Sequence, residues 1–493
     1  MRLTLVSAPL TLEERYGLFS GAGSSQPSFG LVCLAAAAEQ AGARVTIIDA
    51  SAESLSIERA LHAVLESGAD VVGISSTTAG ISASGELAEK IKQVNPRVET
   101  HSSASVRILI GGSHATAIPE ETLTEFPGFD MAVAGEGEDT LREILRAFEE
   151  TGSLPETAPG TAVRMNDGIR VNAPRPPIND LDSLPMPAWH LIRGFPQTFR
   201  PSPARMKRFP CASLVFTRGC PNRCHFCDRS VFGNRVRSYS PARAVAMLKD
   251  LRQTYGVKEI LIEDDTFVAS RTWVMEFCGK LIAENIDITW SCLGRADRVT
   301  PEILKIMKQA GCWHISYGIE SGDERILKNM EKGENLSHIE EAVRLSREAG
   351  IKTKGFFMVG FPGESEDSLH RTRELALKLP LDDISVMQLT PFPGTAIYSY
   401  ASQYGTFERD WRKMNVISTV FTPHGFTPGD MEKARSRLLA AFYLRPGIIL
   451  KKLAEVTARP RLLPYMIQGF LAFLKVVLST KIGNKGRNND THV

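Results

Sequence analysis

The stretch Ser213-Leu214-Val215-Phe216-Thr217-Arg218-Gly219-Cys220-Pro221-Asn222-Arg223-Cys224-His225-Phe226-Cys227 decides how this 493-residue chain is read. Its first five residues form a short apolar run of the kind that makes a buried strand. The strand feeds directly into a loop with three thiols spaced C-x3-C-x2-C, and thiolate is the ligand that iron–sulfur clusters require. Gly219 and Pro221 suit a tight turn, and Arg218 and Arg223 offset the negative charge of a cluster. A structural zinc site would want a fourth ligand at typical spacing. His225 lies inside the loop, but no paired C-x2-C follows downstream, so a zinc knuckle or chance clustering is the weaker reading. Three ligands on a four-iron cube leave one iron open to a substrate or cosubstrate.

Outward from this loop, strands and helices alternate. After Ser213–Thr217, strands are predicted at 259–263, 286–291, 314–318, 354–359 and 384–389. Helices are predicted at 241–254, 272–284, 301–309, 336–349 and 366–379. Six such units fit either an open sheet or a partial barrel. Upstream, 3–6, 45–48, 71–75, 107–110 and 131–134 are short strand-like runs separated by helical patterns, which predicts a doubly wound parallel sheet with both faces covered. Ligands of such sheets sit beyond the carboxyl ends of the strands. Those ends are rich in glycine and hydroxyls, although ordinary turns use the same residues. Between the two halves, 151–205 is proline-rich and reads as a surface linker with a short hairpin near 161–171.

Composition excludes several classes. With 43% apolar and 23% charged residues and a net charge of +2, the chain is neither disordered nor a nucleic-acid coat. Residues 430–493 carry net +8, leaving −6 for the rest. Eight cysteines in so long a chain are no secreted disulfide framework; Cys33, Cys211, Cys278, Cys292 and Cys312 read as small buried hydrophobes. The apolar start at Met1 reads as a strand rather than a signal peptide. The apolar run 462–478 is broken by Pro464, Gln468, Gly469 and Lys475 and falls short of the ~20 residues of a membrane span. The expected location is cytoplasmic, with peripheral contact at the inner membrane face as a second option.

With Phe226 before the last thiol, the cysteine loop resembles that of the radical S-adenosylmethionine (SAM) superfamily. The resemblance continues through 262–267, 290–297, Gly318-Ile319-Glu320-Ser321-Gly322, 326–333, Gly360-Phe361-Pro362-Gly363-Glu364 and 389–395. It implies a partial (β/α)6 barrel over 206–400, with Cys220, Cys224 and Cys227 holding a 4Fe–4S cluster. Glu320 and Ser321 are then expected at the ribose or methionine end of SAM, Gly360 and Gly363 at its adenine, and Glu263 and Asp264 at its amine. At this last place many members carry two glycines and an acid.

Residues 1–150 resemble the cobalamin-binding domain of one branch of that superfamily, through 29–36, 42–49, 111–116 and 135–138. Ser75, Thr77, Gly111, Gly112, Ser113, Glu136 and Gly137 are expected to hold the corrinoid and its tail. No Asp-x-His-x-x-Gly segment is present. His62 reads as a packed or surface residue, and His114 is expected to touch the corrin edge rather than cobalt.

The resemblance implies electron entry from ferredoxin or flavodoxin, SAM cleavage to a 5′-deoxyadenosyl radical, hydrogen abstraction from an unactivated carbon and methyl transfer through cobalamin. An oxidative cyclase of the anaerobic magnesium-protoporphyrin monomethyl ester type is the alternative, as is a non-methylating enzyme without cobalamin. A methylthiotransferase would carry more cysteines in its first domain, and a non-catalytic iron–sulfur module would have no use for the 320–322 and 360–364 loops together. The C-terminal region 401–493 is expected to be helical, basic and apolar. Lys451, Lys452, Arg459, Arg461, Lys475 and Lys481 lie among its greasy residues. Such a segment can lie on an anionic membrane surface or pack over the barrel, and the former suggests a lipid or tetrapyrrole substrate.

Overall fold

The computed structural model describes residues 1–94, 106–198, 205–458, 463–464, 467–471 and 474. His101, Pro201, Pro203, Arg459, Arg461, Lys475 and Lys481 lie outside the described residues.

The first sheet comprises β1 (Arg2–Ser7), β2 (Arg44–Ile48), β3 (Val71–Ser75), β4 (Arg107–Gly111), β5 (Met131–Val133), β6 (Thr161–Met165) and β7 (Gly168–Val171), in the order β2-β1-β3-β4-β5-β6-β7. The first five pair in parallel. Their continuous apolar runs are buried by helices on both faces, as parallel strands require. The order reverses between β1 and β3, so the crevice at the ends of these strands is the place where such folds bind ligands. The 161–171 hairpin is not on the surface of a linker. It adds two antiparallel strands to the sheet edge. The segment after it is also partly internal, with Leu181, Leu184, Trp189 and Ile192 buried.

The second sheet comprises β8 (Cys211–Leu214), then, past the small antiparallel pair β9 (Thr217–Arg218) and β10 (Arg237–Ser238), β11 (Glu259–Ile262), β12 (Thr289–Gly294), β13 (Cys312–Glu320), β14 (Lys352–Val359) and β15 (Asp383–Gln388). Six strands pair in parallel in the order β15-β14-β13-β12-β11-β8, and β15 and β8 form the two edges. Helices with N-caps such as Ser240, Ser270, Thr300 and Asn335 connect them. Their apolar faces and the outward strand residues form one large core that also reaches into the first sheet.

The C-terminal region is not uniformly helical. A hairpin of β16 (Gly405–Phe407) and β17 (Phe421–Pro423) precedes the helices Pro428–Tyr443 and Pro446–Ala458. The strap between its strands returns to the first domain. Trp411, Met414 and Val420 join the core on one face of the first sheet, and Trp411 Nε1 donates to Glu125 at 2.8 Å. Among the described residues, no helix is long and apolar enough to cross a membrane.

Candidate cofactor site at the meeting of two sheets

β8 delivers the chain to the cysteine loop, and the acidic run after β11 holds that loop in place. Asp264, fully buried, accepts the Phe216 amide at 2.6 Å. Burial pushes its carboxyl up to about 7, against the pull of the amides it accepts. Gly219 has φ +90, and a Cβ there would stand 2.4 Å from the Arg235 carbonyl oxygen, so only glycine makes this turn.

Within the loop, Cys220 Sγ accepts from Asn222 Nδ2 at 3.2 Å and faces Thr266 Oγ1 at 3.6 Å. The Cys224 and Cys227 thiols are hydrogen-bonded neighbours. That bond, with the positive charge of Lys332 and Arg295, lowers Cys224 to about 7, while Cys227 is raised. The environment therefore favours thiolate at Cys224, the form a metal cluster needs. Among the described residues, no three of His, Cys, Asp and Glu close on one point as ligands of a single ion would. A four-iron cube takes one thiolate per iron, and three separate thiols on one loop suit it.

Beside the cysteines lies a buried charge cluster. Glu320 ends β13 at φ 65, an uncommon conformation for a residue with a side chain. Lys332 Nζ stands 3.5 Å from its Oε1 and 3.3 Å from Glu334 Oε2. Arg295 donates to Asp297 at 3.0 Å, and Glu334 Oε1 accepts the Ala296 amide at 2.7 Å. Gly318 leaves the room, because a Cβ there would meet Glu320 Oε1 at 2.5 Å and Lys332 Nζ at 2.9 Å. Burial raises the Glu320 carboxyl, with Lys332 opposing.

The structure brings Cys224, Cys227 and Glu320 together. Ser321 turns away to Thr372 Oγ1 at 3.1 Å. Glu263 is paired with Arg205 at 3.0 Å, and Asp264 anchors the loop with one oxygen while its other oxygen has no partner. Gly360 donates its amide to Glu364 at 3.1 Å, and Gly363, at φ +86, lies against Asn329. Sequence reasoning missed Lys332, Arg295 and Glu334, since charges in a loop ordinarily read as solvated. The clue was position: Arg295 and Lys332 lie inside the 290–297 and 326–333 segments that carry the resemblance, and Glu334 directly follows the second.

The first domain presents its strand ends to this same loop. Arg218, two residues before Cys220, donates to Glu138 at 2.5 Å and lies 3.3 Å from Glu136. Arg237 also binds Glu136, and all four residues are buried. Glu136 is thus spent on this joint and on the Ile178 amide. The helix Ser113–Ala117 approaches the barrel closely, for a Cβ on Gly394 would meet both Ala117 and Asp228. Ser75, Gly111, Gly112, Ser113 and Gly137 are only partly covered, and Thr77 is exposed. Their backbone and hydroxyls stand open at the carboxyl ends of the strands. His114 is 1% exposed, meets Thr78 Oγ1 at 3.2 Å through Nδ1, and lies edge-on to Trp411 at 4.9 Å. Burial, with Arg409 nearby, holds its imidazole down at about 4.

The comparisons agree with this geometry. Residues 214–376 match the model of the radical SAM superfamily, and residues 18–145 that of the B12 binding domain. An uncharacterized methyltransferase of Pyrococcus horikoshii is 31% identical over 435 residues, covering 88% of this chain and 91% of that protein. The anaerobic magnesium-protoporphyrin IX monomethyl ester cyclase of Cereibacter sphaeroides is 28% identical over 463 residues, covering 92% and 72%. In fold, the chain is similar to the radical SAM methyltransferase TsrM of Kitasatospora setae, solved with cobalamin and a 4Fe–4S cluster. The TM-score is 0.63 at 18% identity, over 82% of this chain and 75% of that one.

Proposed function

Given that this chain belongs to the radical SAM superfamily, in the branch that carries an N-terminal B12-binding domain, we propose that it is a C-methyltransferase acting on an unactivated carbon of a small, largely hydrophobic molecule. Its cofactors are a 4Fe–4S cluster, SAM and cobalamin. When bound, they supply one-electron cleavage of SAM and a carrier for the methyl group.

The chain's own residues position and exclude. Cys220, Cys224 and Cys227 would hold the cluster, and Lys332 and Arg295 bring compensating charge to its side. Glu320 is the carboxylate placed to accept from a sugar hydroxyl or an ammonium. Gly363, exposed at its turn, leaves backbone open to a flat base, while Gly360 is tied by its amide to Glu364 and shapes that turn. Ser75, Thr77, Gly111, Gly112, Ser113 and Gly137 would hold the corrinoid. The buried Arg218–Glu138 and Arg237–Glu136 pairs close the seam between the domains, which keeps water from the reacting centre.

The observation that carries this reading is the approach of the first domain's strand ends to the cysteine loop. A methyl carrier must reach the same carbon that the cluster side activates. The test is anaerobic reconstitution with iron, sulfide and methylcobalamin, followed by SAM and a reductant. Formation of 5′-deoxyadenosine with transfer of labelled methyl to an extracted small molecule is the expected result. Deoxyadenosine formed with oxidation of the substrate and no methyl gain supports the cyclase alternative, favoured by the 28% identity to the Cereibacter enzyme. Deoxyadenosine absent from cluster-loaded protein overturns both.

The electron donor is proposed to be a ferredoxin or flavodoxin. Peripheral contact with an anionic membrane is proposed for the C-terminal helix, where Ile449, Leu450 and Leu453 are exposed beside Lys451.

A further inference from the structure

The inward face of the half-barrel carries polar groups that the site above does not use. Successive strand residues point to opposite faces. Ile260, Ile262, Trp290, Cys292, Ile315 and Tyr317 pack outward under the helices. Their alternates point into the lumen, where Leu261 forms a separate small cluster with Met206 and Cys211. Register places Ser291 beside His314, and one pleat higher Ser316 beside Lys354.

Ser291, His314 and Ser316 are buried and lack partners. His314 is 2% exposed and neither ring nitrogen is hydrogen-bonded; Ser291 and Ser316 are 0% and 1% exposed with free hydroxyls. Lys354 is 9% exposed, its ammonium over the Phe356 ring at 5.4 Å. Asp383, opposite it in register, takes the Tyr443 hydroxyl. Arg205 gives one nitrogen to Glu263, while its Nε and Nη2 are buried and unpartnered. Burial, with the charge of Arg205 and Lys354, keeps His314 neutral. Each unmet buried polar group is a cost to the folded chain that a ligand's matching group would relieve. Glu263 and Asp383 balance the two cations, but the unpartnered atoms are mostly donors, two of them on the Arg205 guanidinium, and such a cluster is built for a ligand that brings lone pairs and accepts charge-assisted hydrogen bonds.

Above this cluster the wall is apolar. Leu293, Phe356, Met358 and Met387 are half-buried on the inward face. Ser316 lies four residues before Glu320 on β13, or about 13 Å at the rise of an extended strand.

We infer that the lumen takes a substrate with an acidic end, a carboxylate or phosphate, held by Lys354 and Arg205 with Ser316, Ser291 and His314 around it. Its apolar body then leads up toward the cysteine loop. This rests on the reading of the barrel as the substrate-binding part of the enzyme, and it narrows a hydrophobic substrate to an amphiphilic one.

The test is calorimetric binding of octanoate, octyl phosphate and octanol to the full-length protein. At least one anion is expected to bind about tenfold or more tightly than octanol, a difference of about 1.4 kcal/mol, and the pair of anions tells carboxylate from phosphate. Lys354→Met is expected to cut that preference to within about threefold and leave octanol unaffected. Ser316→Ala, which deletes only an unpartnered hydroxyl, is expected to weaken the anion alone, and decides the matter if Lys354→Met does not fold. Equal binding of octanol and both anions overturns the inference, as does full anion preference in both folded variants. Anion preference without methyl transfer would defeat the proposed reaction only; methyl transfer without anion preference would defeat this inference only.

Discussion

Arg218 of the barrel and Glu138 of the first domain form a buried ion pair at 2.5 Å, two residues ahead of the first clustered cysteine. The joint between the domains and the cluster loop are therefore one piece of structure. Glu138→Ala leaves a buried guanidinium short of a partner and should cost about 3 kcal/mol. Thermal unfolding should show it, and the double variant Arg218→Met with Glu138→Leu should recover most of the loss. Equal stability of the single variant and the parent would remove the pair from the account of how the domains are joined.

The cysteine loop should be intolerant of small changes. Serine at Cys220, Cys224 or Cys227 should strip most of the iron and sulfide from anaerobically purified protein, because the hydroxyl is no substitute for thiolate. Gly219→Ala should act in the same direction without touching a sulfur, since its Cβ falls 2.4 Å from a backbone oxygen. Iron content of the purified variants is the measurement, and a fully loaded Gly219→Ala protein contradicts the geometry.

Asp264 predicts a pH dependence with a definite sign. Its folded value of about 7 lies above that of an unfolded aspartate, so the folded state binds the extra proton. Its contribution is present in mildly acid solution and lost as pH rises through 7, amounting to about 2 kcal/mol between pH 5.5 and pH 8. His114 works in the opposite sense, as it must stay neutral and loses stability below its unfolded value near 6.5. Asp264→Asn keeps the acceptor for Phe216 and removes the titration. The variant should therefore gain on the parent at pH 8 relative to pH 5.5 in cluster-free protein, measured by denaturant unfolding at both values.

His114 should not ligate cobalt. Its ring is enclosed by Thr78 and Trp411, and His62 lies on an exposed helix face beside Glu66. Electron paramagnetic resonance of the reduced corrinoid-loaded protein should show no coupling to a histidine nitrogen, and His114→Phe should leave that spectrum unchanged. Nitrogen coupling that vanishes in His114→Phe would require the Trp411 strap to open.

The architecture was legible wherever a local pattern was enough. Runs such as Val71–Ser75 and Lys352–Val359 are bounded by turn residues and separated by capped helices, so both parallel sheets were expected. The resemblance to the B12-binding branch of the radical SAM superfamily holds across both domains. What escaped depends on partners far away in the chain. Nothing local in Thr161–Val171 announces that the hairpin will extend a sheet begun at Arg2. Nothing near Trp411 points to Glu125. In the site, three thiols at short spacing are conspicuous, whereas Lys332 and Glu334 become significant only once folding buries them against Glu320. Glu263 shows the limit most clearly. A register of two residues per pleat turns it to Arg205, and no motif reports that choice.

The strap that carries Trp411, Met414 and Val420 has a consequence for how the chain is made. The first domain's own helices cover most of that face, but the patch beside His114 and Glu125 that these residues seal stays open until residue 420 has left the ribosome, long after the strands themselves have been synthesised. The nascent amino-terminal half must wait, with that patch bare, for its closing stitch. A chain that stops near residue 400 should therefore be a substrate for chaperones and proteases rather than a stable corrinoid carrier.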